Sequence, residues 1–238
     1  MAVTLKKPST LQQFAILLRK DLEQEFRTKE MLTSMGIYAL LVLVVYGAAL
    51  AQTTSTLDVL QMSGGLLWAL IVFTSLLGLN RSFSHEKEQG CLEGILLVPL
   101  DRAVIFLAKA VSNLLFLLVV EVIAVPLFCF FFLASAQPST SFWLFLAPLV
   151  VGTVGMAGIG TLLSTITVNT RGKDVMLAVL FVPLIFPLLW ACASATTAVI
   201  VGAEGYMDVF FQSLVLAGGY DVIMLLACWV LYDFVISA

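Results

Sequence analysis

Asn80-Arg81-Ser82-Phe83-Ser84-His85-Glu86-Lys87-Glu88-Gln89-Gly90-Cys91-Leu92-Glu93-Gly94-Ile95-Leu96-Leu97-Val98-Pro99-Leu100-Asp101-Arg102 opens the longest polar interruption in an otherwise apolar chain. Charge is concentrated in Arg81 to Glu88. Leu92, Ile95, Leu96 and Val98 then follow at mixed helical spacing before Pro99. The pattern predicts a short amphipathic helix with a charged lead-in. Gly90 permits a sharp change of direction, and Pro99 with Asp101 ends the helix and restarts the chain on a new axis. A helix of this kind on the surface of a membrane protein is offered to a partner.

The chain around it has 238 residues, 61% hydrophobic and 11% charged. A soluble domain has roughly 45–50% and about 25%. The composition predicts an all-α integral membrane protein whose main environment is the lipid bilayer, and no nucleic-acid partner is expected. The net charge of -3 carries little information, because in a membrane protein the placement of the charges matters more than their sum. Cys91, Cys129, Cys192 and Cys228 are scattered with no Cys-x-x-Cys pair, so neither a disulfide framework nor a cysteine metal site is indicated.

Residues 1–30 form a leader holding six of the twelve basic residues: Lys6, Lys7, Arg19, Lys20, Arg27 and Lys29. Leu11, Phe14, Ala15, Leu18, Leu22 and Phe26 fall on one helical face. Gln12, Gln13, Lys20, Glu23, Gln24 and Arg27 lie largely opposite, which predicts a helix along the membrane surface, capped by Ser9 or Thr10. Residues 31–238 read as a permease-like domain of six spans: Met31 to Ala51, Val59 to Leu79, Ala103 to Leu133, Phe142 to Val168, Val175 to Ile200 and Val209 to Ile236. Each meets the roughly 20 residues that a bilayer crossing requires. Pro126 is a potential kink in the third, and Gly218-Gly219 a weak point in the sixth. The small residues of Gly47 to Ala51 imitate a signal-peptide cleavage site, but a 30-residue amphipathic leader containing acids argues against one.

The other six basic residues, Arg81, Lys87, Arg102, Lys109, Arg171 and Lys173, lie in or beside the second-to-third and fourth-to-fifth connections. Gln52 to Asp58, Gln137 to Ser141 and Val201 to Asp208 contain no Lys or Arg. The positive-inside rule then places both termini and the segment 80–102 in the cytoplasm.

Enzyme chemistry has no visible seat. The one Gly-Lys, Gly172-Lys173, is followed by Asp174 and lacks the rest of a phosphate-binding loop, so direct ATP binding by that motif is excluded. His85 is the only histidine and sits among charges, a solvated residue in a cytoplasmic loop rather than a heme or metal ligand. Two acids fall inside spans. Glu121 is about 18 residues, or roughly 27 Å of helix, from the cytoplasmic start of the third span, and Asp221 is near the middle of the sixth. Both lack a basic partner at their depth. They are expected to be protonated and hydrogen-bonded, or to face a wet cavity or another subunit, as functional candidates within the membrane. In the fourth span Thr153, Ala157, Thr161 and Thr165 recur every four residues among glycines, a close-packing stripe within one subunit or at a homodimer seam. Pro183 and Pro187 are candidate hinges in the fifth.

Gly90, Leu92, Glu93, Leu96, Pro99 and Lys109, preceded by Arg81, Glu86 and Glu88, resemble the coupling-helix pattern of ABC-2-type transporter permeases. Within that group, Leu92-Glu93 through Leu96-Leu97-Val98-Pro99-Leu100, Leu107-Ala108-Lys109, Gly152-Thr153, Arg171-Gly172 and Val182 to Leu189 look most similar to the heme exporter protein B family of bacterial cytochrome c maturation. The resemblance implies an elbow helix, six spans in the bacterial inner membrane and a cytoplasmic coupling helix. It implies a permease subunit that is not itself an enzyme and holds no cofactor, with ATP bound by a separate ATPase subunit and heme as cargo. Companion heme-handling membrane subunits and a periplasmic heme chaperone would complete the system. Arg81, Glu86, Glu88, Gly90, Leu92, Glu93, Leu96, Leu97 and Pro99 would then form the ATPase-coupling surface. The competing readings are a generic ABC-2 exporter of lipid, polysaccharide or drug, and a membrane assembly scaffold without an ATP-driven cycle.

Overall fold

The computed structural model describes residues 9–51, 56–88, 102–133, 142–167 and 172–237, with backbone alone for 56–58, 82–88, 102, 173–174 and 233–237. The described residues form seven helices and no strand: α1 Thr10–Thr28, α2 Glu30–Leu50, α3 Thr56–Glu88, α4 Arg102–Phe132, α5 Phe142–Thr167, α6 Lys173–Val201 and α7 Tyr206–Ser237. Six of them, α2 to α7, are long and apolar enough to cross a membrane. Large side chains such as Val44, Val122, Ile123, Phe186 and Val215 cover their outer surface. That surface suits lipid.

α5 is the axis of the bundle. From Gly152 to Thr165 every residue except Val154 is buried, because small side chains on all sides of the helix let α3, α4, α6 and α7 approach it together. A Cβ on Gly152 would lie 2.1 Å from the Trp68 ring of α3, and one on Gly155 would lie 2.0 Å from Asp221 Oδ1 of α7. Gly160 meets Leu79 and Gly158 meets Leu225 in the same way, so α3 and α7 run parallel to α5. The stripe Thr153, Ala157, Thr161 and Thr165 faces inward and is buried within this subunit. Around α5 the core is continuous, with Trp68, Phe128, Phe181 and Ile185 almost fully enclosed.

Three local details refine the expectations. The charged run Arg81 to Glu88 is not a loop but the last two turns of α3, which places His85 on a helix. No Gly or Pro interrupts the run before Gly90, so nothing in it breaks the helix. α7 passes unbroken through Gly218-Gly219, and α4 continues through Pro126. Lys109, counted with the loop cations, is buried inside α4.

α1 carries a two-sided polarity. Leu11, Ile16 and Phe26 are exposed, as a helix resting on a bilayer requires. The opposite side is not simply solvated, because Gln13 and Glu25 are buried against the bundle. Ser9 accepts from the Gln12 N–H and the Gln12 side chain accepts from the Ser9 N–H, a capping box that starts the helix. At the other end Lys29 adopts a left-handed conformation (φ 55°), separating α1 from α2. Glu25 Oε1 then accepts from the Leu32 N–H at 2.8 Å. One carboxylate of α1 thus caps the start of α2, where unpaired N–H groups and the helix dipole both favour an anion.

Candidate functional site

The residues expected to couple to an ATPase divide at the end of α3. Arg81 is exposed, and the backbone of Glu86 and Glu88 lies on the final turns of that helix. Gly90, Leu92, Glu93, Leu96, Leu97 and Pro99 lie outside the described residues. What is described is the ground on which that segment stands: the end of α3, the start of α4, and α1 packed along α4.

α4 is fastened to α1 by a buried ion pair that the sequence reading did not identify. Lys109 Nζ lies 3.2 Å from Asp21 Oδ2, with each side chain 10% exposed. The Ser112 hydroxyl lies 3.1 Å from the same oxygen and 2.8 Å from the Ala108 carbonyl, while Lys20 Nζ stands 3.4 Å from Asp21 Oδ1. A surface helix is thereby joined to a membrane-crossing helix. The usable signal was Asp21 itself, an acid on the inner side of a basic amphipathic helix. Lys109→Met is expected to destabilise the purified protein by on the order of 2–3 kcal/mol, because Asp21 stays buried with only Lys20 and Ser112 beside it. Asp21→Asn combined with Lys109→Met costs less than Lys109→Met alone; thermal unfolding in detergent measures both.

Further into the membrane, α4 and α5 form an antiparallel polar seam. Asn113 Nδ2 donates to Thr161 Oγ1 at 2.9 Å, and eight residues along α4 the Glu121 carboxyl lies 2.7 Å from Thr153 Oγ1, eight residues back along α5. Leu117 and Ala157, halfway between these rungs, are both buried. The two threonines share a second feature. Thr161 Oγ1 donates to the Ala157 carbonyl at 2.6 Å and Thr153 Oγ1 to the Leu149 carbonyl at 2.7 Å. A third buried pair repeats the pattern: Trp68 Nε1 donates to Thr196 Oγ1, which donates to the Cys192 carbonyl. A hydroxyl whose one proton points at its own helix can only accept from outside. Asn113 and Trp68 meet that need with N–H groups, whereas the Thr153 hydroxyl has a second acceptor, Glu121 Oε1, besides the Leu149 carbonyl.

Asp221 is enclosed differently. It is 5% exposed, lies against Gly155 and Leu188, and its Oδ1 has no hydrogen-bond partner. Gly155 is two residues from Thr153, so Asp221 and Glu121 approach α5 near one depth. Pro183 and Pro187 sit on the exposed side of α6, which continues through both. The Tyr220 hydroxyl, beside Asp221 in sequence, donates to the Leu184 carbonyl between these prolines. Among the described residues, no three His, Cys, Asp or Glu side chains converge to hold a metal.

The comparisons with known proteins decide the family. A family model described as CcmB protein matches residues 12–235, nearly the whole chain. The chain belongs to the CcmB family. Heme exporter protein B of Pseudomonas aeruginosa is 28% identical over 189 residues, covering 79% of this chain and 82% of that protein. The Haemophilus influenzae protein of the same name is 24% identical over 185 residues, covering 78% and 81%. The Rhodobacter capsulatus one is 28% identical over 145 residues, covering 61% and 64%. The family match takes in α1 and all six crossing helices, so the clamp and the seam lie within it.

Proposed function

We propose that this chain is the membrane permease subunit of an ABC-type system for heme export or delivery in c-type cytochrome biogenesis. The family match over residues 12–235 carries the reading. The six-helix membrane bundle and the heme exporter protein B relatives support it. The chain resides in the bacterial inner membrane with both termini cytoplasmic, in keeping with its basic connections. A separate cytoplasmic ATPase docks on the segment 80–102, and its closure on ATP pushes that segment. The push enters α3 and α4 directly, because the segment joins their ends. α4 passes it to α1 through Lys109 and Asp21, and to α5 through the two rungs.

Mechanical work on a partner suits this chain better than ligation of heme iron. Its single histidine is at the end of α3 near the coupling segment, and the connections at the opposite end contain no Lys or Arg to meet heme carboxylates. The subunit therefore drives heme transfer, or release of heme-loaded chaperone, through companion membrane subunits, as one of two copies in the complex. Deleting the gene and staining membrane proteins for covalently bound heme tests the reading. Loss of all c-type cytochromes, restored by the wild-type gene, is the expected result. Normal cytochromes in the deletion strain would refute it in favour of a generic exporter.

A further inference from the structure

A groove of about 440 Å3 opens at the end of the bundle opposite the basic connections, between α3, α6 and the start of α7. It falls within the roughly 300–1,000 Å3 typical of small-molecule sites. Its floor and walls follow one face of α6 from Trp190 through Ala198 to Val201, a drop of about 16 Å along the helix axis. Val209 of α7 closes the other side. Trp190 and Val209 are about half exposed or more, so the groove is open sideways to lipid. One polar wall group is satisfied within its own helix: the Ser194 hydroxyl donates to the Trp190 carbonyl. Gln61 of α3 and Thr197 of α6 add polar groups to the walls, and the carboxylate Glu204 stands with Tyr206 at the α6–α7 junction. No Lys, Arg or His lines any part of it.

The shape and charge point to one kind of occupant. A mainly apolar groove of this length accepts an alkyl chain, and a carboxylate with a phenol ring at its mouth accepts an ammonium group by charge and by cation–π contact. An anionic headgroup meets Glu204 with no cation to offset it. Asp208 is also exposed one turn into α7, which adds to the repulsion. We infer that this groove is a binding site for an amine-headgroup phospholipid of the adjacent leaflet, with one acyl chain along α6 and the ammonium at Glu204. This site is independent of the heme reading and stands or falls separately from it.

Native mass spectrometry of the full-length protein in detergent, titrated with phosphatidylethanolamine, phosphatidylcholine or phosphatidylglycerol, tests the assignment. The expected result is about three- to fivefold greater retention of phosphatidylethanolamine than of phosphatidylglycerol, the scale of one well-placed exposed charge pair. Glu204→Gln brings the two towards parity. Ala198→Phe fills the slot and removes the bound lipid while the protein keeps its unfolding temperature. Phosphatidylcholine retained as well as phosphatidylethanolamine supports the ammonium contact through charge and the Tyr206 ring. Equal or greater retention of phosphatidylglycerol by the wild type overturns the proposal. So does unchanged lipid retention by Ala198→Phe, which would place the lipid elsewhere. A wild type that retains no lipid in any arm also overturns it.

Discussion

Glu121→Lys is expected to remove most of the folded protein from the membrane fraction, while Glu121→Gln leaves it near the wild-type level. The difference follows from what Thr153 requires. Its hydroxyl lies 2.7 Å from both the Leu149 carbonyl and the Glu121 carboxyl, so position 121 must keep a polar group that hydrogen-bonds with it. Glutamine supplies an amide N–H, reproducing the Asn113 to Thr161 rung two turns away. Lysine also adds a charge, at a site 8% exposed and far along α4 from its start at Arg102. A charged side chain at the centre of a membrane helix costs at least about 2.5–3.5 kcal/mol on insertion scales. The cost is a large fraction of the roughly 5–15 kcal/mol that holds a typical domain folded. Immunoblots of the membrane fraction, with unfolding of the detergent-purified variants, distinguish the two outcomes. Equal loss for both substitutions would mean that an ionised carboxylate is needed.

The sequence exposed the layout of this fold because lipid makes strict demands on composition. Runs of about 20 apolar residues announce the six crossings, and the helix ends fall within three residues of the expected spans except where α3 continues to Glu88. That exception is physical: hydropathy reports where a helix leaves the bilayer, not where it stops being a helix. The small-residue stripe of α5 was also legible, as was the strangeness of Glu121 and Asp221. What each stripe touches was not. Nothing in one sequence pairs Asp21 with Lys109 or Asn113 with Thr161, because these contacts join residues 88 and 48 positions apart. What covers the polar face of α1 was not legible for a similar reason. A polar side chain satisfied by water and one satisfied by a neighbouring helix look alike until the neighbour is known, and Gln13 and Glu25 belong to the second kind.

Replacing both Leu92 and Leu96 by aspartate is expected to abolish co-purification of the ATPase while the chain still inserts and folds. Both residues lie outside the described structure, so the expectation rests on sequence pattern and on what flanks them. In the segment 80–102 the acids Glu86, Glu88 and Glu93 would set docking by charge, and Leu92, Leu96 and Leu97 would fill an apolar groove on the partner. Truncating a buried apolar anchor at an interface commonly costs 2 kcal/mol or more, roughly thirtyfold in affinity, and a carboxylate put in its place must also be desolvated. The bundle has no comparable stake in these side chains. Among the described residues α3 runs to Glu88 and α4 from Arg102, and the Asp21–Lys109 pair holds the start of α4 from the α1 side. Membrane abundance and unfolding temperature should therefore stay at the wild-type level while the ATPase is lost from affinity pull-downs and cytochromes fail to mature. An ATPase that still co-purifies at wild-type yield would sink the coupling role of this segment. Loss of the ATPase with intact cytochromes would separate the two, keeping the docking site but removing ATP-driven motion from the function.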